Sequence, residues 1–212
     1  MDSGEFDHPF RGRLNAWGIA ALDGAMHRLY AGIKGRLLRD VPPIVVELGP
    51  GAGANLRYLP KGTRLIAVEP NRRMHPILRR RAAQHGIELD LRSLAGEAMD
   101  VPSESVDLVF ASLVLCSVAS QEQVLGEVRR VLRPGGRFAC VEHVAAPPGT
   151  AARRAQRLLA RPWKWMFEGC DLCRDTGATL RGAGFSAVDV RPFVLPASLG
   201  PIRHQIEALC VK

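Results

Sequence analysis

Three glycines at alternate positions, Gly49, Gly51 and Gly53, follow an apolar run from Ile44 to Leu48 whose one acid is Glu47. Glycine admits positive φ and lets the backbone approach a ligand closely. A helix opening after such a loop offers unpaired N–H groups to a bound molecule. Twenty-two residues beyond Glu47, a second apolar run, Arg64 to Val68, ends in Glu69. A carboxylate there can accept hydrogen bonds from both hydroxyls of a ribose. Two cofactor classes use this layout, and the stretch from Gly49 to Ala54 satisfies the dinucleotide pattern G-x-G-x-x-G/A. Glu47, however, would repel a pyrophosphate and attract an ammonium or sulfonium. The helix after the loop is also short, with Pro60 close behind. The residues therefore favour S-adenosylmethionine over NAD.

A second set of reactive groups lies in the other half. His143 follows a fifth apolar strand at its carboxyl end, where it is a candidate base and equally a structural histidine; Glu142 before it either orients it or pairs with an arginine. Trp163, Trp165, Met166 and Phe167 form an apolar cluster suited to walling a pocket for a hydrophobic molecule. Five cysteines, 116, 140, 170, 173 and 210, read as reduced small hydrophobes. Cys170 and Cys173 have CxxC spacing, but a single pair without a second pair or a nearby histidine is weak ground for zinc, so no metal is expected.

The elements that must carry these groups alternate between strand and helix. Apolar runs at 44–48, 64–68, 87–91, 106–115 and 137–142 read as strands, and helical patterns lie at 72–85, with Asn71 as its cap, and at 120–132. This order implies an α/β, doubly wound, mostly parallel seven-stranded sheet. The last two strands, 185–190 and 206–211, are joined by a non-helical link and predict a terminal antiparallel hairpin. Residues 14–38 have helical spacing, bent near Gly32 and Gly35, and 1–41 is expected to be a helical lid bearing Trp17 and Tyr30. The stretch 145–173 breaks the alternation and is expected as an insertion over the carboxyl ends of the strands, forming the acceptor pocket of a domain spanning 42–212.

Several strings carry a family resemblance. Val46 to Gly53, Ala67 to Pro70, Val131 to Gly136, and Phe185 after Gly184 resemble successive motifs of class I S-adenosylmethionine-dependent methyltransferases, over about 44 to 190. More narrowly, Leu113 to Val118, Glu142 to Ala146 and Glu168 to Arg174 resemble the methyltransferase-like enzymes that methylate alkyl thiols in animal membranes, whose apolar amino-terminal anchor has no counterpart here. The resemblance implies a Rossmann-like fold and assigns Glu47, Gly49, Gly51 and Gly53 to the amino-acid part of the donor. It assigns Glu69 to the ribose, Pro70, Gly96 and Glu97 to the adenine, and Ser112 and Leu113 to the methionine side. Tyr30, His143, Trp163 and Phe167 are then the residues expected around the acceptor, with His143 as the catalytic candidate.

Charge bounds the partners. Lysine and arginine total 29 against 21 acids, a net charge of +8, and only four of the cations are lysine. Such a balance raises nucleic acid as a partner. The Asn/Asp-Pro-Pro-Tyr string associated with base methylation is absent after Phe110, and no RNA-binding module is visible, so nucleic acid is not expected. Arg153 and Arg157, if turned to the pocket, would instead admit an anionic acceptor. No window reaches the roughly 20 apolar residues of a membrane span, and no signal peptide is visible, so a cytoplasmic protein is expected. The expected activity is methyl transfer to a hydrophobic small molecule, with a thiol as the narrower candidate. An O-, N- or C-methyltransferase of a natural-product or lipid-like metabolite is the alternative. An RNA or protein methyltransferase, or a nucleotide-binding module without catalysis, stands behind it.

Overall fold

A computed structural model describes Gly24 and residues 26–212. Strands β1 (Ile44–Leu48), β2 (Arg64–Val68), β3 (Glu88–Arg92), β4 (Val106–Ser112), β5 (Leu132–His143), β6 (Ala187–Val194) and β7 (His204–Val211) form one sheet in the order β3-β2-β1-β4-β5-β7-β6. The first five run parallel, and β7 inserts antiparallel between β5 and β6. The order reverses between β1 and β4, so the loops leaving these two strands diverge and open a crevice at the carboxyl edge.

Helices α1 (26–37), α2 (His75–His85), α3 (Gln121–Val131), α4 (Ala151–Met166) and α5 (Thr176–Gly182) accompany the sheet. Strand alternation sends Val45 to one face and Val46 to the other. The first face packs Leu65, Leu108 and Phe110 with Leu78 and Ala82 of α2. The second packs Leu48, Val109 and Phe138 with Val124, Leu125 and Val128 of α3. Each such fully buried aliphatic side chain contributes about 2 kcal/mol.

Local chemistry moves several boundaries from their sequence-based positions. The fourth strand stops at Ser112, before the expected 115, because Leu113 turns the chain at φ 60°. The helix expected after the glycine loop is a single 3-10 turn, Leu56–Tyr58. Asn71 does not cap α2; its Oδ1 accepts from the Arg73 amide (3.0 Å) in the turn before that helix. The described part of the first helix runs through Gly32 and Gly35 without a break. The link before β7 is not wholly irregular, since Ala197–Ile202 forms 3-10 turns. Residues 1–23, with Trp17 and most of the expected lid, lie outside the described residues.

The stretch 145–173 is built around α4, which Thr150 caps through Oγ1 and the Arg153 amide (3.1 Å). Gln156 fastens the helix to the exit of β5. It is fully buried, accepts from the Ala146 amide (2.7 Å) and donates to the carbonyls of Val144 (3.1 Å) and Pro201 (2.9 Å). Satisfying every polar atom of a buried amide in this way fixes the helix in one place.

Candidate active site

The donor side begins at the exit of β1. Gly49, Gly51 and Gly53 all take positive φ (55°, 55° and 84°). A Cβ on Gly49 would stand 2.6 Å from Val114 Cγ2, and one on Gly53 2.5 Å from Leu56 Cδ1, so close packing as well as conformation requires glycine at both. A Cβ on Gly51 would meet nothing within 4 Å: open space lies before it. Glu69, just past β2, reaches across to this loop and accepts from the amides of Gly51 (2.9 Å) and Asn71 (2.8 Å). Burial raises its pKa against these two amides, with Glu168 adding to the rise.

Glu47 is buried beneath the loop. Its Oε1 accepts from Asn55 Nδ2 (2.6 Å), and Asn55 Oδ1 accepts from Lys34 Nζ of α1 (2.7 Å). Burial pushes the Glu47 pKa up to about 7, although Asn55 and the Lys34 charge pull it down. A buried carboxylate, open space before Gly51 and a second carboxylate at the loop mouth fit a donor bearing an ammonium, a sulfonium and a ribose. Pro70 lies half-buried beside Glu69. Gly96 packs toward Val124. Glu97 Oε1 accepts from the amides of Ala119 (2.9 Å) and Ser120 (3.4 Å), which ties it to the start of α3.

The acceptor side is assembled at the exits of β4 and β5. His143 Nε2 and Cys170 Sγ are 3.0 Å apart, and Trp163 Nε1 donates to the same sulfur (3.2 Å). Cys116 joins them: its Sγ, the imidazole and the Cys170 Sγ include atoms all within 4.8 Å of one another, and all three residues are buried. These are the only groups of this kind among the described residues that could hold a metal ion. Hydrogen bonds from Cys116, then from His143 and Trp163, lower the pKa of Cys170, whereas Cys116 is pushed up by Cys170 and by burial. Burial opposes the imidazolium of His143, but its bond to Cys170 and the charges of Cys170 and Glu142 outweigh that, so its pKa rises.

Glu142 neither orients His143 through a hydrogen bond nor pairs with an arginine. Its Oε1 accepts from the amides of Val114 (2.8 Å) and Leu115 (2.9 Å), and burial raises its pKa to about 7. It thereby holds the turn that Leu113 begins and that carries Cys116. Ser112 ends β4 at the donor edge. Leu113 packs beside Tyr30, Val141 and Leu195, toward the acceptor. Tyr30 itself is buried: burial, then Glu142, raises its pKa against the nearby Gln205 side chain, and among the described residues its hydroxyl makes no hydrogen bond of good geometry.

Trp163 and Phe167 stack with centroids 4.2 Å apart. Trp165 and Met166 are 65% and 48% exposed and Phe167 is 38% exposed, so of the expected aromatic wall only Trp163 is partly buried, and Phe167 meets it from the exposed side. Arg153 donates to the Cys173 carbonyl (3.4 Å) and Arg157 is exposed, so neither forms an anion pocket. The CxxC pair is not a unit: Cys170 is buried and groups with Cys116, and Cys173 is outside the group. Sequence reading missed Cys116, Cys170 and Gln205. The first two were legible only as members of the strings that carry the narrower resemblance.

Comparison with known proteins follows the same division. Residues 46–140 match the model of a methyltransferase domain. The chain is 38% identical to human thiol S-methyltransferase TMT1A over 186 residues, covering 86% of this chain and 74% of that protein. It is 35% identical to human thiol S-methyltransferase TMT1B, covering 90% and 80%. A phosphoethanolamine N-methyltransferase of Haemonchus contortus, solved with S-adenosyl-L-methionine, superposes with a TM-score of 0.73 at 11% identity, covering all of this chain and 60% of its own. The cofactor is S-adenosylmethionine, and the chain belongs to the class I S-adenosylmethionine-dependent methyltransferases, in the family of the thiol S-methyltransferases.

Proposed function

We propose that the protein methylates the sulfur of a small, lipophilic thiol. One observation carries this reading: the three strings shared with alkyl-thiol methylases, 113–118, 142–146 and 168–174, fold into one buried group of two thiols and an imidazole beside the donor loop. When bound, S-adenosylmethionine supplies a methyl group on a sulfonium that is already electrophilic. The chain's part is to bind, align, exclude water and manage one proton.

Glu47 holds the donor's ammonium, the amides at Gly49, Gly51 and Gly53 its carboxylate, and Glu69 its ribose. Pro70 and Gly96 flank the adenine, with Glu97 at its edge. Ser112 borders the methionine side, and Leu113 separates donor from acceptor. Tyr30, Trp163 and Phe167 wall the acceptor, which residues 145–173 cover from one side and α1 borders from the other. A thiol attacks well only as a thiolate. Among the described residues His143 Nδ1 is buried without a hydrogen-bond partner, which supports it as the atom that receives that proton. All five cysteines are free thiols, which fits a cytoplasmic setting, and no helix among the described residues is long and apolar enough to cross a membrane.

A labelled-methyl assay over alkyl thiols, phenols and amines tests the reading. Turnover is expected for lipophilic thiols. Turnover of phenols or amines with none for any thiol would overturn it.

A further inference from the structure

We propose that Cys116 Sγ, His143 Nε2 and Cys170 Sγ form a three-ligand site for a thiophilic divalent cation of the zinc type, with a fourth position left for the sulfur of the acceptor. Two thiolates and an imidazole are the donor set that such an ion selects. Their convergence is tight, within 4.8 Å, and buried, with relative exposures of 2%, 2% and 8%.

Backbone contacts bring the three donors together independently of the side chains. The Asp171 amide donates to the Cys116 carbonyl (2.9 Å), which sets the Cys170 loop against the turn after β4. The Ala145 amide donates to the Arg174 carbonyl (2.9 Å), which closes the same loop onto the exit of β5. His143 is fixed by the β5–β7 ladder. The site is therefore preassembled and slightly contracted. Zn–N near 2.0–2.1 Å and Zn–S near 2.3 Å at tetrahedral angles keep nitrogen and sulfur about 3.5 Å apart. The observed separation of His143 Nε2 and Cys170 Sγ is 3.0 Å. An opening of about half an ångström admits the ion.

The surroundings supply what a ligand shell needs. A ligating imidazole usually donates its other N–H to an acceptor. Among the described residues His143 Nδ1 is buried without a partner, and Gln205, directly opposite it in the ladder and close to the Tyr30 hydroxyl, carries an Oε1 that also has none of good geometry. Trp163 Nε1 already donates to the Cys170 sulfur (3.2 Å). Two thiolates cancel the double charge of the ion in a place closed to counterions. No fourth histidine, cysteine or acid joins the group among the described residues. Three protein ligands with one open position is the pattern of a site that takes an exogenous ligand.

The role of the fourth position rests on the thiol reading above; binding of the ion does not. In the loaded protein an acceptor thiol coordinates as its thiolate and releases its proton to solvent. His143 is then a ligand, no longer the proton acceptor.

The test uses the full chain, reduced and metal-stripped, titrated with Zn2+ against a chromophoric chelator and with Co2+ followed by absorption. One equivalent of each is expected, with thiolate-to-cobalt charge-transfer bands. Cys116→Ser and Cys170→Ser should lose those bands while still binding S-adenosylmethionine, and Cys173→Ser should keep them. Absence of stoichiometric binding in the unsubstituted chain overturns the site, whether or not the variants fold. Loss in Cys173→Ser equal to that in Cys170→Ser overturns the ligand assignment. An alkyl thiol should shift the cobalt spectrum. A fully loaded protein that neither shifts nor turns over any thiol keeps the ion site and removes the thiol reading.

Discussion

The donor and acceptor halves of the crevice are built by opposite means. The donor half is local: Glu47, the glycines and Glu69 lie within 23 residues, on the ends of two adjacent strands and one loop, and its carboxylate oxygens meet backbone amides and the Asn55 side-chain amide. The acceptor half is non-local. Tyr30, Cys116, His143, Cys170 and Gln205 come from a helix, two loops and two strands, and its reactive atoms are sulfur and imidazole nitrogen. A local half is held by its own backbone conformation. A non-local half is held by the rest of the molecule, here by Gln156 under α4 and Glu142 under the Leu113 turn.

If the halves are separable, substitutions should divide cleanly between donor affinity and turnover. Glu69→Ala should have the largest effect. On the proposed role of Glu69 it removes two charge-assisted bonds to the ribose, about 3 kcal/mol in all, and it loosens the Gly51 amide. Donor affinity by calorimetry should fall about a hundredfold. The apparent affinity for the thiol, measured at saturating donor, should hold. His143→Ala should do the reverse: kcat falls by about a hundredfold, within the range for loss of a positioned acid–base or ligand group, while donor Kd stays within about twofold. A comparable loss of donor affinity in His143→Ala would show that the halves are one unit.

The same contrast explains what the sequence disclosed. The donor half was legible because its signal is positional: glycines forced to positive φ after a strand, and an acid at the next strand's end. The parallel order of the strands, and the antiparallel return at the end, were legible from alternation and link length. The acceptor half was not, because spacing along the chain says nothing about Cys116 meeting Cys170 across 54 residues. The CxxC spacing, weak ground for a site on its own, offered Cys173 as the neighbour of Cys170, but the turn that Asp171 makes by accepting from the Cys173 amide (2.8 Å) keeps that residue out of the group. Aromatic clustering likewise named four wall residues where the end of α4 leaves Trp165, Met166 and Phe167 exposed.

A smaller effect sharpens the donor side by pH. Glu47 has a pKa of about 7 in the donor-free protein, raised by burial, so at pH 6 most molecules carry it protonated. If Glu47 holds the donor's ammonium as proposed, only its carboxylate balances that charge, so binding releases a proton below pH 7 and affinity should rise about tenfold from pH 6 to 8. The same raised pKa makes an opposite contribution to stability. The unfolded chain ionises near 4.5 and the folded chain near 7, so this group's contribution falls as pH rises between them. Glu47→Gln should flatten the affinity profile and remove that part of the stability loss. A profile that persists in Glu47→Gln would move the titration to another group.

The smallest expected effect lies at the border of the two halves. Tyr30 comes from α1, the helix whose Lys34 reaches the donor network through Asn55, yet its ring packs on Phe193 and Val141 on the acceptor side. Its hydroxyl is buried near Glu142, and among the described residues it makes no hydrogen bond of good geometry, with only Gln205 close enough to ease it, so in the substrate-free protein it is a cost. Replacing an unsatisfied buried hydroxyl by hydrogen relieves about 1 kcal/mol. Tyr30→Phe should therefore raise Tm by a few degrees, read by thermal denaturation without ligands. If the hydroxyl meets the acceptor, the thiol KM should rise a few-fold in the same variant while donor Kd is unchanged. Stabilisation with an unchanged KM would make the tyrosine a part of the wall by its ring alone. A change in donor Kd would show that α1 couples the two halves through Lys34, and the boundary between them would have to be drawn on the far side of that helix.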